Sequence, residues 1–417
     1  MKLKFQSVIF ASLLLALFLG AFFLSSPKRS ARVTTNQEAP AKTDSHSAQH
    51  QDSHMKGALS LKEIESYTTE RAFKGYTIFG ESGSAFTRVV NMSGQTLHSW
   101  SFDAARIRLL PNCNVLVVHG TKWGWSQKKW NALRPFVREY SWDGDLVWEH
   151  EVPGPAHHDV QRLPNGNTLI LYRSLVPNSA KQQIEDIAKR NAKIRTDVIR
   201  EVSHDGKIVW EWFAHEHLDL NSCGRLPCEP LPEGIVDGER VFDWTHTNGI
   251  ALIPENRWAD AGDDRFTPGN IVLTLRNWST VLIISRLTGE VVWKYDQELS
   301  GAHEGIMIEK GLPGAGNLLL FNNGKSDKES QVREIDPSTK EIVWKYENGE
   351  NFFSRAAGVA QRLPNGNTLI SEDVPGRIFE VTPSGETAWF YQAPMRTARA
   401  HKYEVNSCTK LSELSLF

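Results

Sequence analysis

Leu163-Pro164-Asn165-Gly166-Asn167-Thr168-Leu169-Ile170 returns, nearly verbatim, as Leu363-Pro364-Asn365-Gly366-Asn367-Thr368-Leu369-Ile370. In both copies a Pro-Asn-Gly turn reverses the chain and feeds a run of branched apolar residues, the pattern of a short buried strand bounded by turn formers. Weaker copies stand at Pro111-Asn112-Cys113-Asn114, Pro268-Gly269-Asn270 and Ala315-Gly316-Asn317. Downstream of these turns, a further strand and turn lead to an alternating segment that closes on tryptophan. It runs from Gly94 to Trp100, Gly144 to Trp148, Gly206 to Trp210, Gly289 to Trp293, Lys340 to Trp344 and Gly385 to Trp389. Six copies of a four-stranded unit predict an all-β chain folded as a six-bladed β-propeller, with each tryptophan packed where neighbouring sheets meet. The intervals from Trp148 to Trp210 and from Trp210 to Trp293 are long and must hold insertions. Asn178 to Arg200 has a helical residue mix and predicts a helical insertion in blade three, whereas Phe213 to Val241 reads as a loop ahead of blade four.

Composition narrows the functional classes. The 417 residues carry a net charge of -2 and no Lys/Arg-rich run, which removes nucleic acid as a partner. Lys2 and Lys4 precede the uncharged apolar run Val8 to Leu24. Residues 1–29 therefore read as a signal-anchor, with a cleaved signal peptide as the alternative, and the expected location is a single-pass membrane protein whose propeller lies on the periplasmic or extracellular side. Residues 30–57 read as a flexible polar tether, 58–73 as a short helix, 74–405 as the propeller and 406–417 as a C-terminal tail. Cys223 and Cys228 enclose a loop of turn formers and predict a disulfide in an oxidising compartment; a zinc knuckle with His215 and His217 is the weaker reading. Cys113 and Cys408 are either bridged to each other or both free.

A propeller does not specify an activity, so function has to be sought where the first strand of each blade meets the central channel. That position holds Arg106 to Arg108, then His157-His158-Asp159, Asp243-Trp244-Thr245-His246-Thr247-Asn248, His303-Glu304-Gly305 and Arg355 to Gly358. Histidine recurs at three successive entries, and Arg276 is expected within a strand that the repeat otherwise fills with apolar residues. Sulfuryl and phosphoryl transfer both spread negative charge over equatorial oxygens, which fixed cations and imidazoles can stabilise.

From Lys74-Gly75-Tyr76 to about Tyr391 the chain resembles the bacterial arylsulfate sulfotransferases, most specifically in His157-His158-Asp159, Asp243-Trp244-x-His246-x-Asn248, the Arg276 stretch, and His303 ahead of Gly316-Asn317-Leu318-Leu319-Leu320-Phe321-Asn322-Asn323-Gly324. The resemblance implies a six-bladed propeller that moves a sulfuryl group from an aryl sulfate donor to a phenolic acceptor through a sulfated histidine, with no nucleotide donor, cofactor or metal. It implies His303 as nucleophile and His246, His158 or His157, and Arg276 as the groups around the sulfuryl oxygens and the two phenols. Asn248, Trp244 and Trp278 are implied in substrate binding, and Trp123, Trp125 and Trp130 offer further aromatic walls. Glu304 departs from the family pattern, since a carboxylate beside an anionic substrate repels it unless turned away. Competing readings are a non-catalytic binding scaffold that lost turnover, a quinoprotein-type dehydrogenase with tryptophan-docked blades, and a metal hydrolase using the same histidines.

Overall fold

A computed structural model of the protein describes residues 70–225, 227, 228, 235, 236 and 239–417. The expected anchor and tether, and most of the expected helix at 58–73, lie outside the described residues. Five of the sheets have four strands, and the sixth adds a short excursion to the same plan. The innermost strands are Thr397–Glu404 in blade 1, Arg106–Leu109 in blade 2, Ala156–Arg162 in blade 3, Thr247–Leu252 in blade 4, His303–Met307 in blade 5 and Val359–Arg362 in blade 6. Second and third strands such as Ile271–Leu275 and Thr280–Ile284 are buried at every position, because the blades on either side cover both faces. The outermost strands alternate instead, as in Ile342–Glu347, where one face looks to solvent.

The repeat tryptophans sit on the outermost strands, and their indole N–H groups join the blades. Trp100 donates to the Trp142 carbonyl at 2.8 Å, Trp148 to His204 at 2.8 Å, Trp293 to Pro337 at 2.7 Å, Trp344 to Pro383 at 2.8 Å and Trp389 to Met92 at 2.8 Å. Each acceptor lies in the last hairpin turn of the next blade, and Trp389 reaches back from blade 6 to blade 1. Blade 3 corrects the sequence reading. There Trp212, not Trp210, makes the link, to Gly289 at 2.9 Å. Residues two apart on a strand share a face, so Trp-Glu-Trp offered two candidates, and the more deeply inserted one took the position.

The ring closes with a strand from the far end of the sequence. Gly75–Glu81 pairs antiparallel with Thr397–Glu404, so blade 1 takes its innermost strand from beyond blade 6. Cys113 and Cys408, separated by 295 residues, are joined by a disulfide that fastens the segment after that strand to blade 2. The tail beyond Glu404 packs rather than dangles: Leu411 is fully buried and the Leu414 carbonyl accepts the Tyr76 hydroxyl at 2.7 Å. Cys223 and Cys228 are also bridged. The helical insertion in blade three is shorter than expected. It comprises the turns Ala180–Gln183 and Ile187–Asn191, after which Lys193–Val202 is the third strand of the blade. The loop ahead of blade four contains Glu239–Asp243, which runs parallel to Lys193–Val202 and sets Asp243 beside Arg195. Among the described residues no helix is long and apolar enough to cross a membrane.

Candidate active site

Five of the six inner strands enter the channel through the same distortion. His158 (φ 60°), His246 (φ 49°), Glu304 (φ 37°), Ala357 (φ 56°) and Arg399 (φ 52°) all adopt left-handed backbone within two residues of the strand start. The pairing register slips beside four of these positions, between Ala156 and Val160, Thr247 and Gly249, His303 and Ile306, and Ile78 and Gly80. A bulge of this kind re-aims consecutive side chains, one to each side, at a cost of about 1–3 kcal/mol for a non-glycine residue. Here it splits His303 from Glu304. His303 turns to the mouth of the channel and Glu304 turns into its interior.

Glu304 is therefore removed from any substrate. Its carboxylate takes Arg106 Nη1 and Nη2 at 2.9 and 2.6 Å, from the blade opposite, and Arg399 Nη1 at 3.2 Å. Arg106 Nε lies 3.0 Å from Asp159, which also holds Arg108 at 2.9 Å. His401 approaches Glu304 to 3.6 Å. Burial opposes ionisation of Glu304, but Arg106, His401 and Arg399 outweigh it and hold the carboxyl well below its usual range. This buried network plugs the channel and floors the cavity above it.

That cavity, of about 430 Å³, is lined by His157, His158, His246 and His303, by Arg134, Arg173, Arg195, Arg276, Arg396 and Arg399, and by Lys122; its carboxylates are Asp243 and Asp373. The excess of cations suits an anionic ligand. Burial and the nearby Arg399 and Arg276 push His303 well below the ordinary imidazole range, burial with His157 and His246 does the same to His158, and burial with Arg173 lowers His157 to about 4. His246 is lowered by burial in spite of Asp243. All four rings are neutral at neutral pH, and each then has one N–H and one lone pair.

Hydrogen bonds decide which nitrogen is which. Asn323 donates its Nδ2 to the Ser354 and Ala357 carbonyls at 2.7 and 2.8 Å, so its Oδ1 must be the atom 2.5 Å from His303 Nδ1. His303 thus carries its proton on Nδ1, also shared with the Gly301 carbonyl at 3.0 Å, and Nε2 accepts the Ala357 N–H at 3.0 Å. His246 donates Nδ1–H to Asp243 at 2.5 Å, leaving the Nε2 lone pair. Asp197, which also accepts the Thr245 hydroxyl at 2.5 Å and the Thr247 N–H at 2.6 Å, lies 3.1 Å from His157 Nε2. That protonates His157 on Nε2 and makes its Nδ1 the acceptor from His158 Nδ1–H, 2.6 Å away. His158 in turn keeps its Nε2 lone pair, with its ring 5.0 Å from that of His246. His303, His246 and His158 therefore share one tautomer, fixed in each case from behind.

The five residues assigned by resemblance to the reacting groups, His157, His158, His246, His303 and Arg276, all line this one cavity. Arg276 lies in the turn between Ile271–Leu275 and Thr280–Ile284 rather than within a strand, its N–H bonded to the His246 carbonyl at 3.2 Å. The aromatic expectations fare differently. Trp244 and Trp278 pack edge to face at 5.4 Å in the apolar core under the blade-four loop and do not line the cavity. Asn248 is buried below the cavity, bonded to the Ala302 carbonyl at 3.3 Å. Trp130 is buried against His119, whereas Trp125, 39% exposed, stands at the cavity wall. Sequence reasoning passed over Arg399 and His401 on the closing strand, Asn323 behind His303, and the arginines at 134, 173 and 195. Five channel entries for six blades was the signal that a further inner strand remained to be found. Among the described residues no group of three or more His, Cys, Asp or Glu is arranged to hold a metal ion.

Residues 135–394 match the family model described as arylsulfotransferase (ASST). No curated protein matches the chain. Among solved structures, a protein of unknown function from Bacteroides caccae is similar at 12% identity, over 79% of this chain and 99% of that one, with a TM-score of 0.50. Another of unknown function, from Desulfotomaculum acetoxidans, aligns at 9% identity over 79% and 99% with a TM-score of 0.45. A catalytically inactive virginiamycin B lyase from Staphylococcus aureus, solved with quinupristin, aligns at 14% identity over 69% of each chain with a TM-score of 0.36. The first of these likenesses bears on the fold alone. The family match covers more than half of the sequence and every histidine of the cavity, and on that ground the chain belongs to the arylsulfotransferase family.

Proposed function

We propose that the protein transfers a sulfuryl group from an aryl sulfate to a phenol in two half-reactions, through a sulfated His303 and without a nucleotide donor. The observation that carries this reading is the convergence of three neutral imidazoles, each with its Nε2 lone pair kept free of a proton, on one arginine-lined cavity. Family membership supports aryl sulfotransferase activity in general terms.

In the first half-reaction His303 Nε2 attacks sulfur. The N–S bond forms as the bond from sulfur to the aryl oxygen breaks, and the phenolate leaves with the electron pair. Nδ1 keeps its proton, so the ring takes on positive charge, which the carbonyl oxygens of Asn323 and Gly301 stabilise. Arg276 and Arg399 offset the charge on the sulfuryl oxygens. The Ala357 N–H that now bonds Nε2 has to let go, and it is then beside those oxygens as a donor. In the second half-reaction His246 Nε2, oriented by Asp243, takes the proton of the acceptor phenol while its oxygen attacks sulfur. The N–S electron pair returns to Nε2, and the proton leaves His246 for solvent, replacing the one taken up by the departed phenolate.

The two disulfides support an extracytoplasmic location. Transfer from para-nitrophenyl sulfate to phenol by the full-length protein is the test. Nitrophenol release that depends on phenol, survives a chelator and vanishes in His303→Ala is expected. No turnover over a broad set of aryl sulfates would move the reading to a binding scaffold, and loss on chelation to a metal enzyme.

A further inference from the structure

The sulfuryl site uses His303, His246, His158, Arg276 and Arg399, and leaves a second set of cavity cations without work. Arg134 belongs to the insertion ahead of Phe136–Tyr140 in blade 2, and Arg173 and Arg195 to Thr168–Leu175 and Lys193–Val202 in blade 3. In a ring of six, blade 2 stands opposite blade 5, so Arg134 faces His303 from across the cavity, and Arg173 and Arg195 stand near it on the neighbouring blade 3. None of the three makes a contact ion pair with a described carboxylate. Arg173 is only 6% exposed, and its Nε is buried without a hydrogen-bond partner. Asp243 compensates Arg173 and Arg195 in part and Asp197 compensates Arg173, but Asp243 Oδ2 is committed to His246 and Asp197 to His157, Thr245 and Thr247. Burial, reinforced by Arg173 and Arg195, lowers Arg134 to about 10. Holding such a set together costs stability until an anion joins it. Trp125 completes the subsite, with Arg134 and Arg173 at 4.7 and 5.9 Å from its ring.

We propose that the substrate is an aromatic compound with two anionic groups, the sulfate ester at His303 and a carboxylate or sulfonate at the far end of the molecule held by Arg134, Arg173 and Arg195, its ring lying against Trp125. This rests on the reading of His303 as the sulfuryl site, but it makes a separate demand. Monoanionic aryl sulfates would leave the three arginines unpaired and lose the charge-assisted contacts that hold the distal group.

Equilibrium binding separates the two ideas, because it needs no turnover. Calorimetric titration of the full-length protein with naphthalene disulfonate and naphthalene monosulfonate should show the disulfonate binding about tenfold more tightly at low salt. The ratio should fall towards unity in Arg173→Gln and in Arg134→Gln, the second variant guarding against a folding defect at the buried Arg173. His303→Ala should keep the preference. Equal affinities in the native protein, or a preference that survives both arginine variants, would overturn the assignment even if sulfuryl transfer through His303 were demonstrated. A preference that persists when His303 proves unnecessary for turnover would leave this subsite standing and remove the proposed mechanism.

Discussion

Asn323 accepts the Nδ1 proton of His303 across 2.5 Å, and its own amide is pinned by two backbone carbonyls, so this side chain makes the shortest of the bonds that leave the lone pair on Nε2. Asn323→Leu removes the closer of the two acceptors of that proton, leaves only the Gly301 carbonyl at 3.0 Å, and loosens the hold on tautomer and ring orientation. We expect kcat for para-nitrophenyl sulfate to fall about 100-fold with KM little changed, in keeping with the usual weight of a group that orients a catalytic imidazole. Asn323→Asp should restore part of the rate and move the acid limb of the pH profile upward. An unaltered kcat in the leucine variant would remove Asn323 from the mechanism.

The depressed histidines set two pH dependences with one cause. Because burial, Arg399 and Arg276 keep His303 unprotonated well below its ordinary range, kcat/KM should stay level as pH falls through about 6.5, and decline only in more acid buffer. Stability behaves differently. His119 and His157 titrate near 4 in the folded protein, where burial keeps them neutral, yet near 6.5 once unfolded. Between those values the unfolded chain binds more protons, so stability is lost as pH falls from about 6.5 towards 4. Thermal melts across that range should show Tm dropping steadily while activity per folded molecule holds. A Tm independent of pH there would contradict the burial of these rings.

The tryptophan ring predicts unequal costs at neighbouring positions. Trp212→Ala should destabilise by about 3–5 kcal/mol, through loss of packing and of the bond to Gly289, whereas Trp210→Ala, at a half-buried site, should cost less than half as much. Chemical denaturation of the pair gives the comparison. Equal losses would argue that the two indoles share the link.

The disulfides should part company in the same way. In the chain-entropy view, closing a loop of 295 residues is worth about 6 kcal/mol and closing one of 5 residues about 2 kcal/mol. Cys408→Ser should therefore lower stability far more than Cys228→Ser. It should also reduce activity, since the strand it anchors carries Arg399.

The architecture could be read from the sequence because each blade repeats one turn, one apolar run and one tryptophan, and packing demands all three at a fixed pitch. The cavity histidines could be read because they recur just ahead of that turn. Arg399 and His401 could not, since their strand is followed by no such turn and joins a sheet begun at Gly75. Arg173 was hidden in an apolar run, Leu169-Ile170-Leu171-Tyr172-Arg173, where one cation looks like an exception to burial rather than a ligand. Trp244 and Trp278 were over-read, because an aromatic residue off the repeat position can as well fill the core beneath an inserted loop as face a substrate. The left-handed position of the bulge that turns Glu304 away from His303 is held by a glutamate, a residue type that does not announce such backbone, so the sequence alone does not show the carboxylate facing the channel interior.

Ring closure has a consequence for the life of the molecule. Arg399 and His401 reach the channel only when Thr397–Glu404 docks beside Gly75–Glu81, the most distant pairing in the fold and one that chain topology makes slow. A chain stalled with five blades formed would hold the four cavity histidines but lack Arg399, and its Glu304 would be left facing an incomplete set of cations. Such a stalled chain keeps Arg134, Arg173, Arg195 and Arg276 but lacks the cation nearest His303 on the closing strand, so under the proposed mechanism an activity assay doubles as a count of fully closed molecules.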